Sequence, residues 1–419
     1  MIIHTLVCHA CGIEQPFSLH FDPCSSCGGS LDVKYDLRRA FKQFDHRELK
    51  TERGSIWRFW PFLPVVDNSS AVTLGEGGTP LLRHARLNEL IGLPNLYLKN
   101  EAANPTWSFK DRLNSVNATV AREGKKAKIV ASSTGNHGAS AAAYAGAAGM
   151  QSLVLFPHGT PDVFSQMVAA YGGWPVLTEW HGRYPLMEHL VNKKDWYPSK
   201  SALPAPLTNP FGLEGYKSIA YEIAIGCDRV PDYVLIPVGS GDDIAGIWKG
   251  FSEFHSLDLI GSMPALISCE AESSAPVSEA VKRKSNSVIQ VNNPRTIAIS
   301  ISEGIAGDHA LRAIQKSSGF AAVASDSEII DAMRLIAGVG LAAESSSCVS
   351  IAALIRAVKE NRIEQNSTIV VILTSAGIKW PAQLGKLGRT AISIRPEVEM
   401  LDAVLRQQEK NSDTRINAA

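Results

Sequence analysis

The sequence predicts an α/β protein with doubly wound, mostly parallel sheets. Residues 233–238 and 368–373 are continuous apolar runs, and shorter apolar runs occur at residues 129–131 and 153–156. Runs of this kind are typical of parallel strands that are buried on both faces. They alternate with helical segments of small residues such as 139–148, and the strands end in loops of Gly, Ser and Thr. This alternation indicates βα units around parallel sheets.

Length and composition indicate a globular protein of two or three packed units. The chain has 419 residues, of which 45% are hydrophobic and 20% charged, and these are ordinary values for globular domains. The formal net charge is zero, so we expect no nucleic-acid partner and no electrostatic attraction to a membrane. No apolar run is long enough to span a bilayer, and the first residues lack the features of a secretory signal.

The N-terminal cysteines predict a metal site. Cys8, Cys11, Cys24 and Cys27 form the pattern C-x2-C-x12-C-x2-C, whereas the other three cysteines are scattered. Two such pairs can place four thiolates around one ion in a closed tetrahedral site. We therefore predict a structural zinc ion in a ribbon-like segment at residues 1–36, with redox use of one pair as the alternative. Because the spacing is not that of a disulfide scaffold, we expect a reducing, cytoplasmic location.

Residues 104–112, which read Asn-Pro-Thr-Trp-Ser-Phe-Lys-Asp-Arg, contain a candidate catalytic lysine. Lys110 follows a turn and the apolar Phe109, and it precedes a predicted helix. A lysine that forms a Schiff base must be partly neutral, which requires desolvation or a cationic neighbour. The setting of Lys110 is compatible with that requirement, although lysines are common and the motif is weak by itself.

Three loops follow predicted strands and could form a ligand site with Lys110. The strands end near Ala131, Val238 and Leu373. Ligands of doubly wound sheets bind at the carboxyl ends of the strands. We therefore expect the three loops to meet at one edge of a single sheet.

The loop at residues 131–138 leads from a predicted strand into a predicted helix. Its backbone N–H groups should point at a ligand above the helix N-terminus, where an α-carboxylate would fit. The candidate ligand-binding residues are consecutive: Ser133, Thr134, Gly135, Asn136 and His137. The alternative is an ordinary turn whose serines cap the helix, and for His137 we favour a structural role over acid–base chemistry.

The loop at residues 237–246 is a candidate phosphate site. Gly239, Ser240 and Gly241 let the backbone curve around an anion, and the helix that follows adds its positive end. Neither a GxGxxG fingerprint nor a Walker loop is present, so we predict a phosphate rather than a dinucleotide. Asp242 and Asp243 suit a phosphate only if their side chains point away from it.

Taken in order, these loops resemble threonine synthase and its relatives among the fold-type II enzymes that use pyridoxal 5′-phosphate (PLP). The segments that carry the resemblance are residues 74–81, 98–101, 104–112, 132–138, 213–217, 237–246 and 373–379. The resemblance extends from the N-terminal cysteines to about Trp380. It implies a catalytic core at residues 73–395 in which a smaller domain of about residues 100–210 is inserted. A linker rich in aromatic residues and proline, at 37–72, would precede the core, and a polar tail with a frayed end, at 396–419, would follow it.

The resemblance also implies residue roles. PLP would form a Schiff base with Lys110, and residues 239–243 would hold its phosphate. Asn136 would face the 3′-oxygen, and the hydroxyl of Thr374 would face the ring nitrogen and keep it unprotonated. The loop at residues 133–136 would bind the carboxylate of an amino-acid substrate. Relatives are commonly dimers, so a homodimer is expected.

Several departures from the family pattern fall in the substrate region. Trp107 replaces a glycine of the lysine motif, which would place an indole beside the Schiff base. Gly212 stands where an arginine usually grips the substrate phosphate, and a segment that usually reads Arg-Ile-Gly-Asn-Pro is Ser-Glu-Gly-Ile-Ala at residues 302–306. Losing the arginine removes a bidentate clamp, and Glu303 would repel a phosphate. We predict retained cofactor chemistry and an altered substrate, with Trp107 and Glu303 in the substrate site.

The sequence therefore predicts a PLP-dependent lyase or synthase that performs elimination or replacement at the β- or γ-carbon of a small amino acid. Lys110 would remove the α-proton. Three alternatives stay open: threonine synthase acting on O-phosphohomoserine, a serine/threonine dehydratase or β-replacement synthase, and a non-catalytic protein of this fold. The presence of Lys110, Asn136 and Thr374 argues against the last, because a scaffold does not need them.

Overall fold

The structure, a computed structural model, describes residues 3–16, 18, 23–51, 54–200, 209–388 and 390–406. The chain divides into two compact units, Met1–Trp380 and Pro381–Ala419. All residues of the candidate sites lie in the first unit. The final part of the predicted tail, residues 407–419, lies outside the described residues, and so do residues 201–208 of the substrate region.

Strands and helices alternate through most of the first unit. The strands are β1 (Ile3–Cys8), β2 (Glu14–Gln15), β3 (Leu31–Tyr35), β4 (Leu81–Leu82), β5 (Leu96–Asn100), β6 (Lys128–Ser132), β7 (Gln151–Pro157), β8 (Trp174–Thr178), β9 (Tyr197–Pro198), β10 (Tyr233–Pro237), β11 (Ala265–Ala271), β12 (Phe320–Ala324) and β13 (Ile369–Leu373). The helices are α1 (Leu37–Gln43), α2 (Ala85–Ile91), α3 (Lys110–Glu123), α4 (Asn136–Ala147), α5 (Asp162–Ala170), α6 (Arg183–Lys194), α7 (Pro210–Leu213), α8 (Lys217–Gly226), α9 (Asp242–Ser256), α10 (Pro276–Lys282), α11 (Asp308–Lys316), α12 (Asp326–Gly338), α13 (Ser345–Lys359) and, in the second unit, α14 (Pro381–Leu384). Among the helices of the described residues, none is long and apolar enough to cross a membrane.

The larger sheet has six strands in the order β12-β11-β10-β13-β5-β4. All of its pairings are parallel except that of the short edge strand β4 with β5. The predicted strands at residues 233–238 and 368–373 are the adjacent central strands β10 and β13, and all five residues of β13 are buried. This burial on both faces is why both strands read as continuous apolar runs rather than as alternating patterns.

The smaller sheet has four parallel strands in the order β8-β7-β6-β9. Its strands lie in the chain between β5 and β10, so this sheet is built by an insertion into the larger one. The α/β fold with parallel sheets is thus confirmed, but the expectation of one shared sheet edge is wrong. The loop after β6 belongs to the smaller sheet, whereas the loops after β10 and β13 belong to the larger sheet, because the chain leaves one sheet to build the other.

The N-terminal segment forms a separate antiparallel sheet, β2-β1-β3. Lys249 of α9 ties this sheet to the larger domain, since its Nζ donates to Asp32 Oδ1 (2.6 Å) and to the carbonyl oxygen of Val33 (2.7 Å). The rings of His9 and His309 also stack, with centroids 6.1 Å apart. The segment is therefore anchored on the same helix that begins at the glycine-rich loop.

The aromatic segment that we expected to be a linker is part of the core. Residues 56–62 form a 3₁₀ helix that begins after the N-cap Ser55. The rings of Phe59 and Phe62 are fully buried and lie 5.0 and 5.7 Å from the ring of Tyr221. Burial of one such ring stabilises a fold by roughly 1.5–3 kcal/mol. The segment therefore supports α8 rather than simply connecting two domains.

Candidate active site

A cleft with about 900 Å³ of empty space is lined by the loops that follow β6, β10 and β13 and by the start of α3. The residues proposed from the sequence that line it are Lys110, Ser133, Thr134, Asn136, His137, Gly239, Ser240, Asp242, Asp243, Glu303 and Thr374. The cleft therefore brings together residues as far apart in the chain as Lys110 and Thr374.

Lys110 is the first residue of α3 and lies in an aromatic setting. Its Nζ donates a hydrogen bond to the Tyr216 hydroxyl (3.0 Å) and lies 4.2 Å from the centroid of the Phe109 ring. The rings of Phe109 and Tyr216 stack with centroids 5.1 Å apart. Burial lowers the pKa of Lys110, although the carboxylates of Asp243 and Asp242 act in the opposite direction. The amine is thus shifted toward the neutral form that nucleophilic chemistry requires.

The loop before Lys110 is held by hydrogen bonds at both ends. The N–H and hydroxyl groups of Thr106 donate to the two carboxylate oxygens of Asp111 (2.7 and 2.5 Å). The N–H of Phe109 donates to the carbonyl oxygen of Thr374 (2.9 Å), and Thr374 Oγ1 lies 2.8 Å from Ser347 Oγ. These bonds fix the lysine and the Thr374 hydroxyl relative to each other.

The loop before α4 is organised by Ser133. Its Oγ accepts hydrogen bonds from the N–H groups of Gly135 (3.0 Å) and Gly138 (2.8 Å), which is the capping role we considered as the alternative. Asn136 Nδ2 donates to Glu344 Oε2 (2.9 Å), while Asn136 Oδ1 is buried without a partner among the described residues. The N-terminus of α4 therefore faces the cleft with its own N–H groups and one unpartnered amide oxygen.

His137 has the contacts of a structural histidine. Its Nε2 lies 2.8 Å from Ser199 Oγ. Burial, together with the positive charges of Lys110 and Lys200, lowers the pKa of His137 to about 3. The imidazole is consequently neutral at physiological pH and can accept or donate one hydrogen bond.

The loop between β10 and α9 requires glycine at position 241 and is tightly packed at position 239. Gly241 has φ 93°, and a Cβ atom there would collide with the side chain of Ala310. A Cβ atom at Gly239 would lie 3.3 Å from the Cα of Ile301. Helix α9 begins at Asp242, so its unpaired N–H groups face the cleft beside this close-packed turn.

The two aspartates of this loop differ in ionisation. Asp242 Oδ1 lies 3.1 Å from His309 Nε2. Burial disfavours the Asp242 carboxylate, but the hydrogen bond and charge of His309 outweigh it and hold its pKa below the usual range. Burial raises the pKa of Asp243 to about 6, and one of its oxygens accepts from the N–H of Ile244 (2.9 Å). The Asp242 carboxylate is thus paired, whereas Asp243 takes up a proton more readily than an ordinary aspartate.

Three residues proposed from the sequence do not line the cleft: Trp107, Gly135 and Gly241. The Trp107 side chain is 46% exposed and therefore does not occupy the place beside Lys110 that we expected. Its φ of 58° lies in the left-handed region, which accounts for the glycine of the family pattern. Gly135 packs against Phe164, where a Cβ atom would approach the ring to 2.9 Å.

Several residues that line the cleft were not predicted from the sequence, and Lys200 is one of them. Its Nζ lies 3.6 Å from Glu303 Oε2, and both side chains line the cleft. Lys200 falls in a stretch that matches no motif, so nothing local marked it. Tyr216 belongs to a motif segment, but only the tertiary structure shows that its hydroxyl meets Lys110.

Packing is tight at Gly212, the position where the resemblance leads us to expect an arginine. Gly212 does not line the cleft, and a Cβ atom there would lie 2.6 Å from Oδ1 of Asn117. The amide of Asn117 in turn donates to the carbonyl oxygen of Ser199 (2.8 Å). Any side chain at position 212 would have to displace the Asn117 amide from this contact, so the structure leaves no room for an arginine there.

The four N-terminal cysteines converge on one point. Their Sγ atoms all lie within 4.8 Å of one another, with Cys8 and Cys27 at 3.5 Å and Cys11 and Cys24 at 3.7 Å. Four thiolates around a tetrahedral zinc ion with bonds of about 2.3 Å are roughly 3.8 Å apart. The cluster is therefore compatible with zinc.

Comparisons with known proteins agree with this geometry. A family model described as "Pyridoxal-phosphate dependent enzyme" matches residues 72–375. The chain belongs to this family. Threonine synthase from Methanocaldococcus jannaschii is 36% identical over 91% of this chain and 94% of that protein. Threonine synthase from Methanosarcina acetivorans is 35% identical over 96% of both chains.

The solved structures support the same fold for this PLP enzyme. Threonine deaminase isoform 2 from Solanum lycopersicum has a TM-score of 0.62 at 22% identity, covering 74% of this chain and 82% of that chain. A fungal L-serine ammonia-lyase from Rhizomucor miehei also has a TM-score of 0.62, at 21% identity over 74% and 96%. The resemblance to threonine synthases and fold-type II PLP enzymes is thereby confirmed.

The residues of the cleft fit PLP. The cleft offers an amine with a lowered pKa, a turn in which side chains are excluded at Gly239 and Gly241, and the N-terminus of α9 for a phosphate. The two aspartates do not contradict this fit, because His309 pairs one of them and burial disfavours the charged form of the other. Lys110 would hold the aldehyde carbon, and Thr374, which lines the cleft wall, would face the ring nitrogen.

Replacing Asp243 should show how much its negative charge weakens the binding of the PLP phosphate. Because the pKa of Asp243 is about 6, its carboxyl is mostly neutral below that pH and ionised above it. Ionised Asp243 repels a phosphate dianion, so Asp243→Asn should tighten PLP binding by about tenfold above pH 7 and hardly at all below pH 5. Titrating apoprotein with PLP at several pH values measures this difference. The exposed Asp331→Asn is the control, and equal affinities of Asp243→Asn and wild type at every pH would contradict the prediction.

Proposed function

We propose that this PLP enzyme catalyses elimination or replacement at the β- or γ-carbon of a small amino acid, with a substrate pocket that differs from that of threonine synthases. The observation that carries the proposal is the placement of Lys110 in the cleft, with its lowered pKa and its contact to Tyr216. The changed pocket is supported by the closed position at Gly212 and by Glu303 in the cleft wall.

Each part of the cleft has a role in this proposal. Bound PLP supplies an electron sink that stabilises negative charge at the substrate α-carbon. Lys110 Nζ removes and returns the α-proton, and the Tyr216 hydroxyl positions that amine. The N–H groups at the start of α4 bind the substrate carboxylate, and the turn at Gly239 together with α9 binds the phosphate of the cofactor.

A spectroscopic substrate panel tests the proposal. Yellow holoprotein is mixed with O-phosphohomoserine, O-phosphoserine, O-acetylserine, serine, threonine and homoserine, and the visible spectrum is followed for each. At least one should change the spectrum and release a product. If the protein takes up no PLP, or if none of the six causes a change, the proposed function is wrong.

Threonine synthase itself is the second candidate, and identities of 35–36% over more than nine-tenths of the chain favour it. Steady-state assay with O-phosphohomoserine decides between the two. If the pocket is changed, the protein should form little or no threonine from O-phosphohomoserine. A genuine threonine synthase would form threonine and would prefer O-phosphohomoserine to the other five compounds. A dehydratase or β-replacement synthase would instead respond to serine, threonine or the serine esters.

We further propose that the four-cysteine cluster holds a structural zinc ion, since its sulfur spacing suits tetrahedral coordination. Elemental analysis should give one zinc per chain, and Cys24→Ser should lose most of it and lower the melting temperature. Cys227→Ser, in a buried cysteine outside the cluster, is the control for general packing effects. Wild-type protein that contains no metal and has four freely reactive thiols would refute the zinc proposal.

We also propose that the enzyme is a homodimer in a reducing cytoplasm.

A further inference from the structure

The N-terminal sheet is tied in two places to the helix that begins at the glycine-rich turn. Lys249 of α9 donates to β3, and the ring of His9 stacks on that of His309, the second residue of α11. His9 lies inside the first cysteine pair of the four-cysteine cluster. Helix α9 starts at Asp242, and with a rise of 1.5 Å per residue Lys249 is roughly 10 Å further along it. The two contacts therefore lie near the start of α9 and about two turns along it.

His309 continues the first of these contacts to the wall of the cleft. Its Nε2 lies 3.1 Å from Asp242 Oδ1, and Ser240 Oγ donates to the other carboxylate oxygen of Asp242 (3.3 Å). Ser240 and Asp242 line the cleft, whereas His309 is not among the described residues that do so. A chain of four side chains thus leads from the cysteine cluster to the turn at which we propose that the cofactor phosphate binds.

The start of α11 is packed closely against the same turn. The N–H of Gly307 donates to the carbonyl oxygen of Ser240 (2.9 Å). Gly241 lies against Ala310, so that even a Cβ atom at position 241 would collide with it. Because close-packed groups transmit displacements rather than absorb them, the positions of His309 and of the turn are set together.

We propose that His309 is a positioning residue that couples the four-cysteine cluster to the phosphate turn, so that a metal ion in the cluster tightens the binding of PLP. This inference rests on the proposed phosphate site and on the proposed zinc site. A metal ion that joins the four thiolates makes the cysteine turn rigid and holds His9 against His309. His309 in turn keeps the carboxylate of Asp242 paired.

Loss of the metal ion removes the common ligand of the four thiolates, so that His9 no longer fixes His309. Asp242 then loses its partner, and an unpaired carboxylate beside the turn repels a phosphate dianion. The cluster acts through His309 and Asp242 without touching the cofactor. Coupling of this kind is reciprocal, so PLP must tighten the binding of the metal ion by the same factor.

Two equilibrium titrations of the full chain test the coupling. PLP is titrated into apoprotein that contains zinc and into apoprotein from which a chelator has removed zinc in the presence of a thiol reductant. Removal of zinc should raise the Kd for PLP by about fivefold or more. Competition with a chelating indicator dye then measures zinc affinity with and without PLP, and the ratio should be the same. Affinities for PLP and for zinc that do not depend on each other overturn the coupling.

Variants separate this coupling from a general stabilising effect of the N-terminal sheet. His9→Ala keeps the four cysteines and the contact of His309 with Asp242 but lacks the stacked ring. His309→Leu lacks the contact with Asp242. In both variants, removal of zinc should change the Kd for PLP by less than about twofold, because the chain of contacts is broken. A sheet that merely stabilises the fold would give the factor of wild type in both. His255→Gln, at the exposed end of α9, is the control and should keep that factor.

The outcomes distinguish failure of the coupling from failure of the proposals on which it rests. His9→Ala decides the matter if His309→Leu does not fold, since His9 lies in a turn of the N-terminal segment. A wild type that binds no zinc overturns the coupling together with the zinc site and leaves the proposed function intact. A protein that takes up no PLP refutes the proposed function as well. A protein that binds both, with the same factor in wild type and His9→Ala, refutes only the coupling.

Discussion

Lys110→Ala is expected to abolish the absorption of the lysine-bound cofactor near about 410 nm and to lower turnover by more than about a thousandfold. The reason is that Lys110 lines the cleft, where burial lowers its pKa and its amine contacts the Tyr216 hydroxyl. Lys110→Arg should have the same effect, because a guanidinium keeps the charge but does not form a Schiff base. Absorption spectra of the purified proteins and initial rates on any active substrate of the panel measure both effects.

The exposed Lys359→Ala is the control for this prediction, since Lys359 lies at the C-terminal end of α13, outside the cleft. It should keep the colour and the rate of wild type. Reduction of the holoprotein with borohydride, followed by peptide mapping, should place the cofactor on Lys110. A label on another residue, or an Lys110→Ala protein that retains the absorption band, would remove the basis of the proposed mechanism.

Arg112→Leu is expected to lower the free energy of unfolding by about 3–5 kcal/mol, because it leaves two buried carboxylates without their main partner. Arg112 is fully buried, and its guanidinium donates to Glu101 (2.7 and 2.8 Å) and Glu222 (2.7 and 2.7 Å). Lys99 Nζ also donates to Glu222 Oε2 (2.7 Å) and cannot neutralise both carboxylates. Denaturant unfolding monitored by circular dichroism measures the change.

Two comparisons sharpen the stability prediction. Arg112→Lys keeps one charge but loses the planar fork, so it should be intermediate between wild type and Arg112→Leu. Arg334→Ala removes an exposed ion pair with Asp331 and should cost less than about 1 kcal/mol. If Arg112→Leu were no less stable than Arg334→Ala, the buried network would not be a major source of stability.

This network gives several of the segments that carry the resemblance a structural role. Thr79, Lys99, Glu101 and Arg112 come from three of the segments that carry the resemblance, and they meet in one buried cluster. Arg112 follows Lys110 by two positions, so the network fixes the start of α3 and with it the amine. Part of what reads as a catalytic signature is therefore structural.

Local features allowed the sequence to predict the fold class and the four-cysteine cluster, whereas Lys110 was singled out by the order of several motif segments that resemble a known family. Apolar runs, C-x2-C pairs and glycine turns are contiguous, and each has a physical meaning that needs no knowledge of distant residues. Only the tertiary structure decided which sheet each loop belongs to. It also decided that Tyr216 meets Lys110, that Trp107 lies outside the cleft, and that Lys200 and Glu303 face each other. Those relations depend on packing between segments far apart in the chain, and no local pattern of charge or hydrophobicity encodes them.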